Sequence, residues 1–149
     1  MYNETEYRVI FADTDAMGIV YNGTYISLFE RGRTELMRQM GYPYKRMEEE
    51  GMKLPVGEIT CTYRSPAFAD DLLVIKSWVE EIKAASIYVG YEIYKKETGE
   101  VCVTGSSMHP VTDTELKPMR FKKVRPDLYE KFKSSMEDEN KPKRRLRRK

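Results

Sequence analysis

The hydrophobic residues of this chain change from helical to strand-like spacing at Gly51, and that change limits the folds that the chain can form. From about Asn22 to Met40 they keep the helical spacing of about 3.6 residues, as Tyr25, Ile26, Phe29, Leu36, Met37 and Met40. Gly41 suits the end of this helix, and a shorter helix is predicted from Pro43 to Glu50. Gly32 lies inside the long helix, where it costs stability unless a sheet or a second helix packs closely against it.

After Gly51 the sequence is typical of strands. Segments rich in Val, Ile, Tyr and Thr cover Lys53 to Arg64, Asp71 to Ile82, Ala85 to Tyr94 and Val101 to Val111, and Tyr7 to Phe11 adds an earlier strand. Their short connections join antiparallel neighbours, because a parallel crossover needs about a dozen residues or more. We therefore expect an α+β fold, with one long helix on an antiparallel sheet of about five strands. The helix covers only one face of such a sheet. Because the other face and the edges also need to be covered, we expect a homo-oligomer.

The length and composition are those of one domain. The 149 residues, of which 40% are hydrophobic, suffice for a single core, which we place in residues 1–135. No apolar run reaches the roughly 20 residues that span a bilayer, and the N-terminus does not resemble a signal peptide, so we expect a cytoplasmic protein without a membrane span. Cys61 and Cys102 form neither a C-x-x-C pair nor a dense framework, which favours buried or half-buried free thiols.

The positive charge is concentrated at the C-terminus. Seven of the last nine residues, KPKRRLRRK, are Lys or Arg, whereas the rest of the chain is mildly acidic. A run of like charges buries too little surface to offset its ordering entropy, so residues 136–149 are predicted to form a charged, disordered tail. Such a tail either stays solvated or contacts an acidic partner such as nucleic acid, anionic lipid or an acidic protein.

Two acids, Asp13 and Asp15, precede the long helix in the segment FADTDAMGIVYNGTY. Asn22 is placed to cap the helix, and the first N–H groups, those of Asn22, Gly23 and Thr24, lack intrahelical acceptors. Free donors at the positive end of a helix dipole suit a carbonyl oxygen that gains negative charge. A carboxylate beside such a site is typical of hydrolases, although a D-x-D pair also occurs as loop acids that bond the local main chain.

Other catalytic patterns have less support. The single histidine, His109, lies in a predicted strand, and one histidine cannot form a two-histidine metal site. Ser106 and Ser107 lack the G-x-S-x-G context of a nucleophilic serine, and neither a G-x-G-x-x-G nor a P-loop motif occurs. We expect no metal and no cofactor.

The segments DTDAMGIVYNGTYISLFERGRTELMRQMG and LPVGEITCTYRSPAFADDLLVIKSWV closely resemble the hotdog-fold acyl-CoA thioesterases of the 4-hydroxybenzoyl-CoA thioesterase type, including the branch linked to the bacterial Tol-Pal system. The resemblance extends from about Glu6 to Pro118. It implies a long helix wrapped by an antiparallel sheet. It also implies dimers with active sites at the subunit interface, often paired into tetramers.

The resemblance also implies roles for individual residues. Asp15 matches the catalytic carboxylate, either as a nucleophile or as a general base toward water, and Asp13 matches a supporting position. The N–H of Asn22 would polarise the thioester carbonyl, with Gly23 as a neighbouring donor. Tyr21 would line the site, and Gly18 would form the turn. Many relatives in the Tol-Pal-linked branch carry histidine where this chain has Asn22, so a side-chain role at that position is not implied.

The predicted substrate is an acyl-CoA, and coenzyme A is part of the substrate rather than a cofactor. Its phosphates need surface cations, for which Lys83 is a candidate, together with Lys117, Arg120, Lys122 and Lys123. Two alternatives stay open. One is a hotdog protein that hydrolyses acyl carrier protein thioesters, or binds acyl thioesters without turnover, and docks the acidic carrier through the basic tail. The other is a scaffold whose functional element is the tail.

Overall fold

The computed structural model describes residues 1–136, so the predicted tail beyond Met136 lies outside the described residues. Its elements in chain order are β1 (Asn3–Arg8), α1 (Thr24–Gln39), α2 (Tyr44–Glu49), β2 (Glu58–Tyr63), β3 (Leu72–Ile82), β4 (Ser86–Lys95), β5 (Val101–Pro110), α3 (Phe121–Val124) and α4 (Pro126–Met136). The strands form an antiparallel sheet in the order β1-β3-β4-β5-β2. The predicted α+β architecture with about five strands is confirmed, and the short connections after β3 and β4 do join antiparallel neighbours. The prediction is wrong for the connection between β2 and β3, because β2 crosses to the far edge of the sheet and pairs with β5, while β3 pairs with β1.

Helix α1 packs on the sheet through Gly32. A Cβ atom at this position would lie 2.7 Å from Ile75 Cγ2 on β3, which is closer than real Cβ contacts. Ser77, also on β3, donates a hydrogen bond from its Oγ to the Gly32 carbonyl oxygen over 2.9 Å. The close approach predicted from Gly32 is therefore confirmed, and the helix-on-sheet layer is the hotdog arrangement that the resemblance implies.

The predicted ends of the two helices are confirmed by the backbone. Gly41 and Gly51 have φ angles of +80° and +83°, a left-handed conformation that glycine adopts readily after a helix. The two cysteines are free thiols, with Cys102 buried and Cys61 partly buried, as predicted. None of the described helices is long and apolar enough to cross a bilayer.

Four elements differ from the sequence prediction. The first strand runs over Asn3–Arg8 rather than Tyr7 to Phe11, because its place is decided by pairing with β3 and not by its own apolar residues. Strand β2 begins at Glu58, whereas Lys53 forms an isolated bridge with Thr112. Helices α3 and α4 were not predicted.

Helix α4 covers part of the sheet. It packs against β3 and buries Leu128, Tyr129 and Phe132 on one face, at helical spacing. The N-terminal amino group of Met1 donates to the carbonyl oxygen of Ser135 near the end of this helix, over 2.8 Å. The two ends of the described chain therefore meet on this face.

Candidate active site

The segment before α1 folds into a small hairpin that carries Asp15 near its tip. The Tyr21 N–H donates to the Asp13 carbonyl oxygen over 2.8 Å, and the Asp15 N–H donates to the Ile19 carbonyl oxygen over 2.9 Å. Gly18 reverses the chain with a φ angle of +78°, which a glycine adopts without strain. The hairpin therefore holds Asp15 close to the residues that lead into α1.

The start of α1 differs in detail from the prediction. Gly23 rather than Asn22 is the N-cap residue, and no side chain caps the helix. The N–H of Thr24 is occupied, because a tight turn brings it within 3.0 Å of the Tyr21 carbonyl oxygen. Within residues 1–136, the N–H groups of Asn22 and Gly23 donate to no acceptor. Two of the three predicted free donors are therefore present at this turn.

A pocket of about 470 Å³ lies beside this turn. Both Asp15 and Asn22 line it, and the other lining residues are Met17, Ile19, Val20, Tyr25, Tyr63, Arg64, Ser65 and Pro66. The Asp15 Oδ1 atom accepts a hydrogen bond from the Met17 N–H over 2.8 Å, which orients the carboxylate. Its second oxygen accepts no hydrogen bond from the described residues. The pocket therefore combines one carboxylate with a free oxygen, a turn with two free amide donors, and a mostly apolar wall.

Asp13 has a different role in the same hairpin. Its Oδ2 accepts hydrogen bonds from the Tyr7 hydroxyl over 2.7 Å and from the Ile10 N–H over 2.9 Å. Burial and the bond to Asp13 raise the pKa of Tyr7, so the phenol stays a donor. The Asp13 carboxylate thus joins β1 to the loop that follows it, which fits the supporting position implied by the resemblance.

Two tyrosines form part of the pocket wall. The rings of Tyr25 and Tyr63 meet edge to face at a centroid distance of 5.9 Å. Burial raises the pKa of both phenols, so both stay neutral at neutral pH. The Tyr63 hydroxyl donates to the Asn22 carbonyl oxygen over 3.0 Å. These two tyrosines therefore give the pocket wall an uncharged, aromatic part between strand β2 and the helix start.

The remaining predicted site residues lie elsewhere. Tyr21 does not line the pocket, and its ring packs over Gly23. Lys83 occupies the turn between β3 and β4, at the far end of these strands from the Asp15 hairpin. The Lys122 N–H donates to the Ala84 carbonyl oxygen over 2.9 Å, so the cations after β5 gather near Lys83. One subunit therefore does not bring these cations to the Asp15 pocket.

His109 belongs to a buried network outside the pocket. Its Nε2 lies 2.7 Å from Ser107 Oγ, which lies 2.6 Å from the Tyr91 hydroxyl, and Arg33 donates to that hydroxyl over 3.4 Å. Burial and the nearby Arg33 charge lower the pKa of His109 to about 4. The histidine is therefore neutral at neutral pH and is held in a buried hydrogen-bond network.

Arg64 is the lining residue that sequence reasoning missed most clearly. It contributes a cation to the wall, but it follows the last residue of β2, where no motif or period marks it. The signal that could have found it is its place in TYRSPAF, within the second segment that carries the resemblance. The apolar lining residues Met17 and Ile19 were missed for the same reason, since loop residues carry no periodic pattern.

The fold and the pocket are those of a hotdog protein with a carboxylate beside a helix start, and comparisons with known proteins agree. Residues 9–132 match the Thioesterase-like superfamily. A putative acyl-CoA thioesterase, YneP of Bacillus subtilis, is 36% identical over 135 residues, which cover 88% of this chain and 97% of that protein. The acyl-CoA thioesterase YbgC of Haemophilus influenzae is 35% identical over 112 residues, which cover 70% of this chain and 82% of that protein.

The structural comparison leads to the same family. The crystal structure of a DHNA-CoA thioesterase from Staphylococcus aureus superposes with a TM-score of 0.83 at 30% identity, covering 89% of both chains. The chain therefore belongs to the Thioesterase-like superfamily and is a hotdog-type thioesterase.

Proposed function

We propose that this protein hydrolyses acyl-CoA thioesters to a free acid and coenzyme A, with Asp15 as the catalytic carboxylate. The observation that carries the proposal is one pocket that is lined by Asp15 and by Asn22, whose N–H is free. The names of the relatives YneP and YbgC support the substrate class. The N–H groups of Asn22 and Gly23 bind the carbonyl oxygen as it gains negative charge, and removing one such donor typically costs about 10²–10³ in rate.

Asp15 can act in two ways. As a nucleophile, its free oxygen adds to the thioester carbonyl carbon, the tetrahedral intermediate expels the thiolate of coenzyme A, and water then hydrolyses the resulting anhydride. As a general base, it takes a proton from water while the water oxygen adds to the same carbon, and the proton passes to the departing thiolate. Both routes use the same oxyanion site, need no cofactor and end with the acid and the thiol.

A second copy of this chain completes the site in this proposal. Strand β2, which carries Tyr63, lies at one edge of the sheet, and several apolar side chains near the pocket are exposed. Phe11 is 84% exposed, Met17 75% and Phe68 46%. A homodimer, or a tetramer of two dimers, would cover this surface and offer a route for Lys83 of one subunit to reach the pocket of another. Sedimentation of wild type as a monomer at micromolar concentration would contradict it.

The proposal extends to location and lineage. Two free thiols support a reducing compartment, and we assign the protein to the cytoplasm. The two matching segments support the 4-hydroxybenzoyl-CoA thioesterase type and its Tol-Pal-linked branch, from which Asn22 is a departure. The carrier-protein alternative depends on the basic tail, which lies outside the described residues.

The test is thiol release from short, medium, long and aromatic acyl-CoAs by wild type and Asp15→Asn. Asparagine can still accept the hydrogen bond from the Met17 N–H, but it can neither attack the thioester carbonyl carbon nor take a proton from water. We therefore expect activity to fall by about a hundredfold or more. Asp127→Asn is the matched control, since this exposed acid of α4 lies outside the pocket and pairs with Arg125. Full activity of Asp15→Asn, or no hydrolysis of any acyl-CoA by wild type, would refute the assignment.

A further inference from the structure

Arg64 is the one cation among the described residues that line the Asp15 pocket. Its main-chain N–H donates to the Cys102 carbonyl oxygen over 2.8 Å, and its Nε donates to Thr104 Oγ1 over 3.2 Å. Both partners belong to β5, next to the end of β2. The arginine is therefore attached at its main chain and at its Nε to the neighbouring strand.

The terminal nitrogens of Arg64 form no hydrogen bond or ion pair with residues 1–136. Within residues 1–136 no carboxylate lies within ion-pair distance of this guanidinium, although other arginines of the chain do pair with acids. Asp15, the one acid among the described lining residues, is not paired with it either. A guanidinium held at Nε presents its other N–H groups as a planar fork, which matches the two oxygens of a carboxylate or a phosphate.

We propose that Arg64 is a specificity-determining residue that binds an anionic group of the substrate within this pocket. The inference rests on the proposed function, because it takes the ligand to be an acyl thioester. The anion has two possible sources, a carboxylate carried by the acyl group or a phosphate of coenzyme A, and both present the same pair of oxygens. Apart from Arg64 and the Asp15 carboxylate, the residues that line the pocket are neutral, so Arg64 is the residue that would favour a negatively charged ligand there.

The test measures binding of three non-hydrolysable thioethers by calorimetry. Hexyl-CoA carries the phosphates, a carboxyalkyl-CoA of the same chain length adds a carboxylate, and hexyl-pantetheine carries neither. Wild type is compared with Arg64→Gln, with Arg64→Lys and with Arg38→Gln, a control in which an exposed arginine of α1 is replaced. The preference of each variant for a charged ligand is its affinity for that ligand divided by its affinity for hexyl-pantetheine. This ratio removes any general effect of the substitution on the pocket.

We expect Arg64→Gln to lose about tenfold or more of the preference for a charged ligand, the scale of charge-assisted hydrogen bonds. Loss of the preference for hexyl-CoA identifies a phosphate, and loss confined to the carboxyalkyl ligand identifies the acyl carboxylate. Arg64→Lys keeps the charge without the fork and should recover part of the preference. Arg38→Gln should match wild type.

The proposal is overturned if the preferences of wild type and Arg64→Gln agree within about twofold, or if wild type binds none of the three ligands. A purely structural role would weaken all three ligands equally and lower the unfolding temperature. Binding needs no turnover, so this test is independent of catalysis. Absence of hydrolysis by wild type would contradict the proposed function and leave the Arg64 comparison valid.

Discussion

The Tyr63 hydroxyl donates a hydrogen bond to the main-chain carbonyl oxygen of Asn22 over 3.0 Å. This contact joins the edge strand β2 to the turn whose amide groups are free, across 41 positions of sequence. In the proposed mechanism those amides hold the oxyanion, and preorganised donors are effective because they need no rearrangement during the reaction. Tyr63 is therefore a positioning residue.

Tyr63→Phe should lower kcat/KM by about tenfold while leaving the fold intact. Phenylalanine keeps the ring against Tyr25 and removes one partly exposed hydrogen bond, whose net contribution to stability is about 1 kcal/mol. The loss should fall on kcat more than on KM, because the amide turn acts in the transition state. Tyr94→Phe, which removes a hydroxyl bonded to Glu4, serves as the matched control. Equal kinetics for wild type and Tyr63→Phe would exclude the positioning role.

At Asn22 the main-chain N–H and the side chain can be separated by substitution. Asn22→Ala keeps the N–H, and the side chain caps no helix, so its activity should stay within about threefold of wild type. Asn22→Pro removes the N–H and should cost about 10²–10³ in kcat. Thermal unfolding of each variant reports whether the turn still folds. A large loss of activity in Asn22→Ala would instead show that the side-chain amide of Asn22 contributes to catalysis.

Gly32→Ala should destabilise the protein by about 1–3 kcal/mol, although alanine favours a helix. The new Cβ would meet Ile75 Cγ2 at 2.7 Å, and overpacking of this size outweighs a gain in helix propensity of about 1 kcal/mol. Urea unfolding measures the change. Ile75→Leu moves the branch away from Cβ, so the double variant should recover part of the loss, and strict additivity of the two changes would contradict the contact.

The stability of the protein should fall as the pH is lowered from about 6.5 toward 4. The folded state holds the pKa of His109 at about 4, below the value of 6.5 for a free histidine, so the unfolded chain binds a proton first on acidification. Protonation of His109 in the unfolded chain over this pH range lowers the free energy of unfolding by about 3 kcal/mol. His109 faces Ser107 and Leu54, with Tyr91 and the Arg33 cation beyond them.

Urea unfolding at a series of pH values from 7 to 4.5 tests this dependence. His109→Gln is the matched variant, because a glutamine can still accept from Ser107 but does not titrate. Carboxylates change charge mainly below about pH 5, so the difference between the two proteins above that value belongs to the histidine. Parallel curves for wild type and His109→Gln would show that His109 is not the titrating group.

Local patterns predicted some parts of the molecule well. The boundaries of α1 and α2 were predicted to within about two residues from the helical spacing up to Met40 and from the glycines after both helices. Helix boundaries depend on nearby residues, which the sequence shows directly. The alternating segment Ala85 to Tyr94 gave β4 almost unchanged for the same reason. Strand β1 was shifted, because its polar residues become a strand only by pairing with β3.

The amino-acid sequence by itself determined the α+β class, the antiparallel pairing of β3 with β4 and of β4 with β5 across short connections, the close approach at Gly32, and the segment that contains Asp15. These depend on spacing, turn chemistry and local main-chain geometry. Only the tertiary structure decided that Asp15 and Asn22 share one pocket, that the Thr24 amide is already occupied, that Arg64 faces the same pocket, and that Lys83 lies at the other end of the sheet. Those relations join residues distant in sequence, and long-range packing has no periodic signature in the chain.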